Sequence, residues 1–298
     1  MTQARDKVLR FGVLGTDDGD VADQAREAEA LGYDIYALSD HLHSSRPTLE
    51  PWTALTWAAA ATENIAVLSD VIGLPYREPP VLAKMAETLA RLSGGRLILG
   101  LGNGGYDAEF RAFGLATRSP GEKVAALGEA VQVLRALWTG SETSFAGVHY
   151  RLDAARIAPP PTHPVPIWIG AYGPRSLAQT GAIADGWLPS MQRLDLEQAA
   201  AMRAAVVDGA RAAGRDPDAM VNACNVQVHF DERRSPTPQL VAGSVEQIAQ
   251  QLHAIAGCGF DTFVVAGLRR GRDRERFARE VVPLVRAAAR SEGLIANA

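Results

Sequence analysis

An α/β fold in the form of a (β/α)8 TIM barrel is what this sequence predicts, and three observations predict it. Short apolar runs rich in β-branched residues alternate with longer Ala-, Glu- and Arg-rich segments of helical spacing. Eight such pairs fill the 298 residues, and barrels of this kind run to ~250 residues plus insertions. No G-x-G-x-x-G fingerprint follows the first strand, where Gly12, Gly15 and Gly19 have the wrong spacing. A doubly wound open sheet is the alternative that alternation alone leaves open. No linker or composition shift marks a second domain, so residues 1–298 read as one unit.

Residues 11–15 read as the first strand. Residues 21–31 follow as a helix with Val21, Ala25, Ala28 and Leu31 on one face and Gly32 as its C-cap. Residues 35–40 and 51–62 form the second pair, with Pro51 suited to a first helical turn. Residues 65–72 and 80–92 form the third, stopped by Gly94 and Gly95; 97–102 and 121–138 form the fourth. The remaining pairs are 167–171 with 174–182, 186–191 with 196–213, 221–230 with 245–256, and 261–267 with 274–289. Before the fifth strand lies an insertion: a hairpin over 143–152, turning at Ala146 and Gly147, then a proline-rich tail over 158–166. Long ordered connections of this kind tend to be lids or binding loops.

Composition narrows the function classes. Hydrophobic residues make up 47% and charged residues 21%, with a net charge of −4 and a pI near 5.9. Such a chain attracts no polyanion in general, so nucleic acid is not an expected partner. No apolar run approaches the ~20 residues that span a bilayer, and residues 1–10 do not fit a secretory signal. A soluble cytoplasmic protein is the expectation. Cys224 and Cys258 lack CxxC spacing and imply neither a disulfide framework nor zinc.

Barrel enzymes place their chemistry after the C-terminal ends of the strands. Those positions hold Thr16-Asp17-Asp18, Asp40-His41-Leu42-His43, Gly73-Leu74-Pro75, Asn103-Gly104-Gly105, Tyr172-Gly173-Pro174, Gln192-Arg193, His229 and Leu268-Arg269-Arg270. Asp40-His41 is the strongest local candidate, because a carboxylate beside an imidazole supplies a general acid or base near neutral pH. His41-x-His43 also permits a metal reading. Further ligands would then be wanted after later strands. His229 could serve, but Arg269, Arg270 and Arg272 stand after strand eight, so no metal is expected. Gly173, Pro174, Arg175 and Ser176 open a helix whose free amides suit a phosphate. Gly102 and Asn103 end a glycine-rich strand over which something flat could lie; a plain turn is the favoured reading of the first feature taken alone and explains the second almost as well.

Several segments, taken in order, resemble the bacterial luciferase-like monooxygenase superfamily, especially its coenzyme F420-associated branch. They are Ala28-Glu29-Ala30-Leu31-Gly32-Tyr33-Asp34 leading to Leu38-Ser39-Asp40-His41, Leu74-Pro75-Tyr76-Arg77, and Leu92-Ser93-Gly94-Gly95-Arg96 running into Gly100-Leu101-Gly102. Glu109-Phe110 with Phe113-Gly114, Leu137-Trp138 before Phe145-x-Gly147-x-x-Tyr150, Gly173-Pro174-Arg175-Ser176-Leu177 and Ala184-Asp185-Gly186-Trp187 continue it over roughly residues 11–191. The resemblance implies the barrel, with a deazaflavin or flavin ring over its mouth and a phosphate at the 173–176 turn. It implies Asp40 at the ring edge, His41 as proton donor or acceptor, and a non-prolyl cis peptide near Asp70, Val71 and Ile72 backing the ring. Gly102, Asn103 and Gly170 would also lie at the cofactor.

Two positions depart from the family pattern. Leu68-Ser69-Asp70 replaces the usual Gly-Thr-small ending of strand three, and Gly105 stands where some deazaflavin dehydrogenases carry a glutamate. Glu109, nearby, occupies a different motif position and is not expected to substitute for it. The expected function is hydride transfer between coenzyme F420 and a small organic substrate. FMN-dependent monooxygenation with a partner flavin reductase is the alternative, and a non-catalytic cofactor-binding barrel a second one. The substrate pocket is expected from the inserted hairpin and the loops after strands seven and eight. Relatives commonly pair, so a homodimer is expected.

Overall fold

The computed structural model describes residues 8–16, 20–42, 48–233, 236, 237 and 239–295. In chain order they form β1 (Arg10–Leu14), α1 (Val21–Ala30), β2 (Ile35–Leu38), α2 (Pro51–Ala60), β3 (Ala66–Ser69), β4 (Ile72–Gly73), α3 (Pro79–Leu92) and β5 (Leu97–Gly102). Then come α4 (Asp107–Ala112), α5 (Pro120–Trp138), β6 (Thr143–Ala146), β7 (Arg151–Ala155), β8 (Ile167–Gly170), α6 (Pro174–Ile183), β9 (Gly186–Trp187) and α7 (Leu196–Ala212). β10 (Val221–His229), β11 (Val241–Ala242), α8 (Val245–Gly257), β12 (Thr262–Ala266), α9 (Arg272–Arg276) and α10 (Val282–Ser291) complete the chain.

The strands close a parallel barrel in the order β10, β12, β1, β2, β3, β5, β8, β9, with β9 returning to β10 through Val221–Gly186 and Asn222–Trp187 pairs. Closure removes every free edge, which an open sheet would have to protect. Alternation along each strand then sorts the core. Ile35, Ala37, Leu68, Ile98, Trp168, Val221, Ala223 and Val264 fill the barrel interior, whereas Tyr36, Val67, Leu99, Ile167, Cys224, Phe263 and Val265 pack outward against the helices. Helix starts are fixed by side chains that satisfy otherwise orphaned amides: Asp20 caps α1, and Ser119, Asp195 and Ser244 form capping boxes at α5, α7 and α8. Gly32 follows α1 with φ of +81°, a conformation that suits glycine.

The structure differs from the sequence expectation at four places. The expected third strand is interrupted: the Asp70–Val71 peptide is cis, and the pairing with β5 advances by one residue between β3 and β4. This bulge projects Asp70 and Val71 at the barrel mouth. The expected sixth strand keeps its ladder at Gly186–Trp187 and one further parallel bridge, Ser190 to Asn225, before Met191–Arg193 turns as a 3-10 helix. The last helix is divided by a π turn at Phe277–Val281 just before Pro283, which has no amide hydrogen to give to the preceding turn. Finally, α4 is an extra helix directly after β5.

The insertion is a hairpin as expected, β6 against β7, but it does not cover the barrel mouth. Glu129 of α5 accepts the amides of Val148, His149 and Tyr150 and pins the hairpin to the barrel's flank. The following Pro161–Pro166 stretch lines a separate cavity with Arg10, Trp168 and Val221, at the strands' N-terminal ends.

Candidate active site

At the C-terminal ends of the strands lies a cavity of about 510 Å³, within the roughly 300–1,000 Å³ of small-ligand pockets. Asp40 and His41 reach it from the end of β2, Asp70 and Val71 from the bulge after β3, Gly102 and Asn103 from β5, and Gly170 from β8. Seven of the residues expected at a cofactor or in catalysis therefore share one cavity. Ile72 does not line it; its side chain is fully buried in the core beside β5. Gly173, Pro174 and Arg175 are exposed at the start of α6, outside the lining, and Ser176 is buried there. Asp17, Asp18 and His43 lie outside the described residues. Among the described residues no three His, Cys, Asp or Glu side chains gather as a metal site, and His229 pairs with Gln227.

The carboxylate that meets His41 is Glu109, not Asp40. Nδ1 of His41 lies 3.2 Å from Oε2 of Glu109. A carboxylate only accepts, so the imidazole proton sits on Nδ1 and Nε2 is left as a base. Glu109 is buried on α4, while His41 is 41% exposed toward the cavity and meets the Tyr106 ring edge-on at 5.5 Å. Burial and the Glu109 carboxylate push the Tyr76 phenol above its ordinary value. The sequence signal was present, since Glu109 follows the glycine-rich strand end, but a six-residue helix carries no periodicity to aim it.

Asp40 is turned away from the imidazole toward a cation. Its Oδ2 accepts the Gly73 amide at 2.9 Å and Arg77 Nη1 at 2.7 Å, and Arg77 also pairs with Glu50. The other oxygen, Oδ1, is buried with no hydrogen-bond partner among the described residues. A buried acceptor of that kind calls for a donor, which a bound ring could present.

Asp70 has a different environment. Its Oδ1 accepts Nδ2 of Asn225, from β10 across the barrel, at 2.9 Å, and burial pushes its carboxyl up to about 6. The neighbouring wall is flat because glycines face the bulge. A Cβ on Gly100 would sit 1.9 Å from the Ser69 carbonyl oxygen, and one on Gly102 would sit 2.7 Å from Val71. The glycines thus make room for the bulge first, and for a ligand only as a consequence. Ser69 ties the two together, accepting the Gly100 amide at 3.0 Å.

Tyr106, Tyr172 and Arg193 form the rim, with the Arg193 guanidinium 5.6 Å from both ring centres and bonded to the Tyr106 hydroxyl. Tyr76, Tyr106, Phe110, Leu188, Ser190 and Asn225 also line the cavity, and nothing in the sequence marks them as site residues. No residue of 143–166 lines the cavity, and among the described residues neither do the loops after β10 and β12. Ser176 Oγ is buried with no hydrogen-bond partner among the described residues, and no side chain caps the start of α6.

Known proteins resemble this chain in both sequence and shape. It is 34% identical over 242 residues to an F420-dependent glucose-6-phosphate dehydrogenase of Nakamurella multipartita, covering 78% of this chain and 70% of that protein. It is 34% identical over 201 residues to an F420-dependent hydroxymycolic acid dehydrogenase of Mycobacterium tuberculosis, covering 65% and 54% of the two chains. An F420-dependent secondary alcohol dehydrogenase, solved with an F420–acetone adduct, superposes with a TM-score of 0.84 over 93% of this chain and 99% of its own, at 19% identity. That likeness bears on the fold alone. The family model for luciferase-like monooxygenases matches residues 12–236, which takes in every strand end that builds the cavity. The chain therefore belongs to the luciferase-like monooxygenase family of flavin- and deazaflavin-dependent oxidoreductases.

Proposed function

We propose that this enzyme moves a hydride between coenzyme F420 and a small organic substrate, with His41 carrying the proton. The observation that carries this reading is the His41–Glu109 pair at the barrel mouth. The F420 dependence of the relatives supports it. When bound, the deazaflavin supplies or accepts the hydride. In the oxidising direction an alcohol loses hydride from carbon and its hydroxyl proton to Nε2 of His41, leaving a carbonyl; reduction returns both. Glu109 holds the ring and stabilises the imidazolium that forms.

The side chains present fit the cofactor. Asp40 Oδ1 offers an acceptor to a donor on the ring, Val71, Gly102, Asn103 and Gly170 give it a low wall, and Gly173 to Ser176 meet a phosphate. FMN has a similar ring and phosphate, so FMN-dependent monooxygenation with a flavin reductase is the outcome to test against. The homodimer that the resemblance implies has a surface to use: Trp57 on α2 and Val81 and Leu92 on α3 are exposed. No helix among the described residues is long and apolar enough to cross a membrane.

Single-turnover mixing of F420-loaded protein with secondary alcohols tests the proton role. His41→Ala is expected to keep the cofactor and lose turnover, while Glu109→Gln keeps part of the rate. A His41→Ala variant that turns over like the wild type would remove His41 from the reaction.

A further inference from the structure

We propose that Gly105 sets the substrate class: its missing side chain leaves room for a flat substituent on the reacting carbon, so the enzyme takes aryl-substituted secondary alcohols and the matching ketones. This rests on the reading of the cavity as a deazaflavin and hydride-transfer site.

Five glycines line the cavity: Gly73, Gly102, Gly104, Gly105 and Gly170. Three of them answer to their own surroundings. A Cβ on Gly73 would stand 3.0 Å from the Tyr76 ring, and one on Gly102 2.7 Å from Val71. One on Gly104 would stand 2.8 Å from the Phe110 ring, and Gly104 also has φ of +79°. On Gly170 it would rest against the Leu188 carbonyl oxygen at 3.4 Å, an ordinary contact with the wall. Gly105 differs. A Cβ there would meet no described atom within 4 Å, and Gly105 is not among the glycines of positive φ. Neither packing nor backbone conformation asks for glycine at this position, so what its absent side chain leaves open is cavity. It is also where this chain departs from the glutamate of some deazaflavin dehydrogenases.

Gly105 stands on the proton-carrying side of the cavity. Tyr106 follows it directly and meets the His41 ring edge-on, with 5.5 Å between centres. The low wall that suits the cofactor ring ends before this turn, at Gly102 and Asn103. A reacting carbon within reach of His41 therefore carries its outward substituent past Gly105. The rim decides what that substituent is. Tyr76, Tyr106, Phe110 and Tyr172 line the cavity, against two aliphatic side chains, Val71 and Leu188. Tyr106 is 53% exposed and Tyr172 38%, and the Arg193 guanidinium lies 5.6 Å from both ring centres. Fixed rings with a guanidinium between them favour a flat π-system over a saturated group of the same size, through offset stacking and cation–π contact.

Turnover of the F420-loaded chain with 1-phenylethanol and 2-propanol tests the assignment. The hydride passes to F420, the hydroxyl proton to His41, and the alcohols become acetophenone and acetone. In wild type kcat/KM is expected to favour 1-phenylethanol by at least roughly tenfold. Gly105→Val fills the space and is expected to lower that ratio by about 10- to 200-fold, with Gly105→Ala between the two. Melting transitions check that both variants fold, and an F420 titration follows cofactor affinity. No preference for the aryl alcohol in wild type, an unchanged ratio in the folded variants, or a fall matched by lost F420 affinity would overturn the assignment. Turnover of neither alcohol would sink the proposed function, while calorimetric binding of the ketones, with and without F420, would still decide Gly105. Wild type is then expected to bind acetophenone at least roughly tenfold more tightly than acetone and about threefold more tightly than cyclohexyl methyl ketone, and Gly105→Val to lose both preferences. Equal binding of the three ketones to wild type, or preferences that survive in Gly105→Val, would overturn it.

Discussion

The ends of the second and third strands both deliver an aspartate to one cavity, yet the two carboxylates are held in opposite ways. Asp40 is buried against Arg77 and the Gly73 amide, a charge-assisted arrangement that fixes its orientation. Asp70 has a neutral partner, Asn225, and burial pushes it up to about 6. Depth alone does not decide what a carboxylate does; the charge of its partner does. The β2 end therefore supports chemistry, with His41 beside it, while the β3 end carries a carboxyl that holds its proton to higher pH.

The largest expected effect lies at the β2 end. His41→Ala should lower kcat by about 10²- to 10⁴-fold, the usual worth of a positioned acid–base group, with F420 affinity retained; steady-state kinetics and a cofactor titration check both. Next, Arg77→Met strands Asp40 without its cation and should cost about 3–5 kcal/mol, read from the denaturant midpoint. A loss under 1 kcal/mol would mean the two aspartates differ less than their partners indicate.

Gly100→Ala strikes the bulge that carries Asp70, because its Cβ would press on the Ser69 carbonyl oxygen. Overpacking of that kind costs about 1–3 kcal/mol, read from the denaturant midpoint. The smallest effect has a pH signature. Asp70 has a folded pKa above that of the unfolded chain, so its stabilising share is fully present below pH ~4 and is lost as pH rises through about 6. Asp70→Asn should therefore be more stable than wild type at pH 7.5 by about 1–2 kcal/mol, discounting the full shift for the partly open site. The difference should vanish near pH 4; melting temperatures at the two pH values measure it.

Much of the fold is legible in the sequence because its signals are periodic. Val21, Ala25 and Ala28 share a helix face, and Ile35 and Ala37 alternate with Tyr36 across the barrel wall. The strand ends that carry Asp40, His41, Asp70, Val71, Gly102, Asn103 and Gly170 follow from that periodicity and do converge. What was not legible depends on contacts between distant segments. Glu109 reaches His41 across 68 residues from a helix too short to announce itself, and Asn225 reaches Asp70 across 155 residues from within a long strand. The placement of the inserted hairpin depends on Glu129, a helix residue that composition does not single out. Likewise, the run Gly100-Leu101-Gly102 reads as a ligand wall, while its first constraint is the close approach of Ser69 and Val71.

A parallel titration of the purified chain with coenzyme F420 and FMN tests most directly whether the cavity serves a deazaflavin for hydride transfer. Saturable F420 binding, tighter than FMN by at least roughly tenfold, is the predicted result. Preference for FMN, or binding of neither, would contradict it.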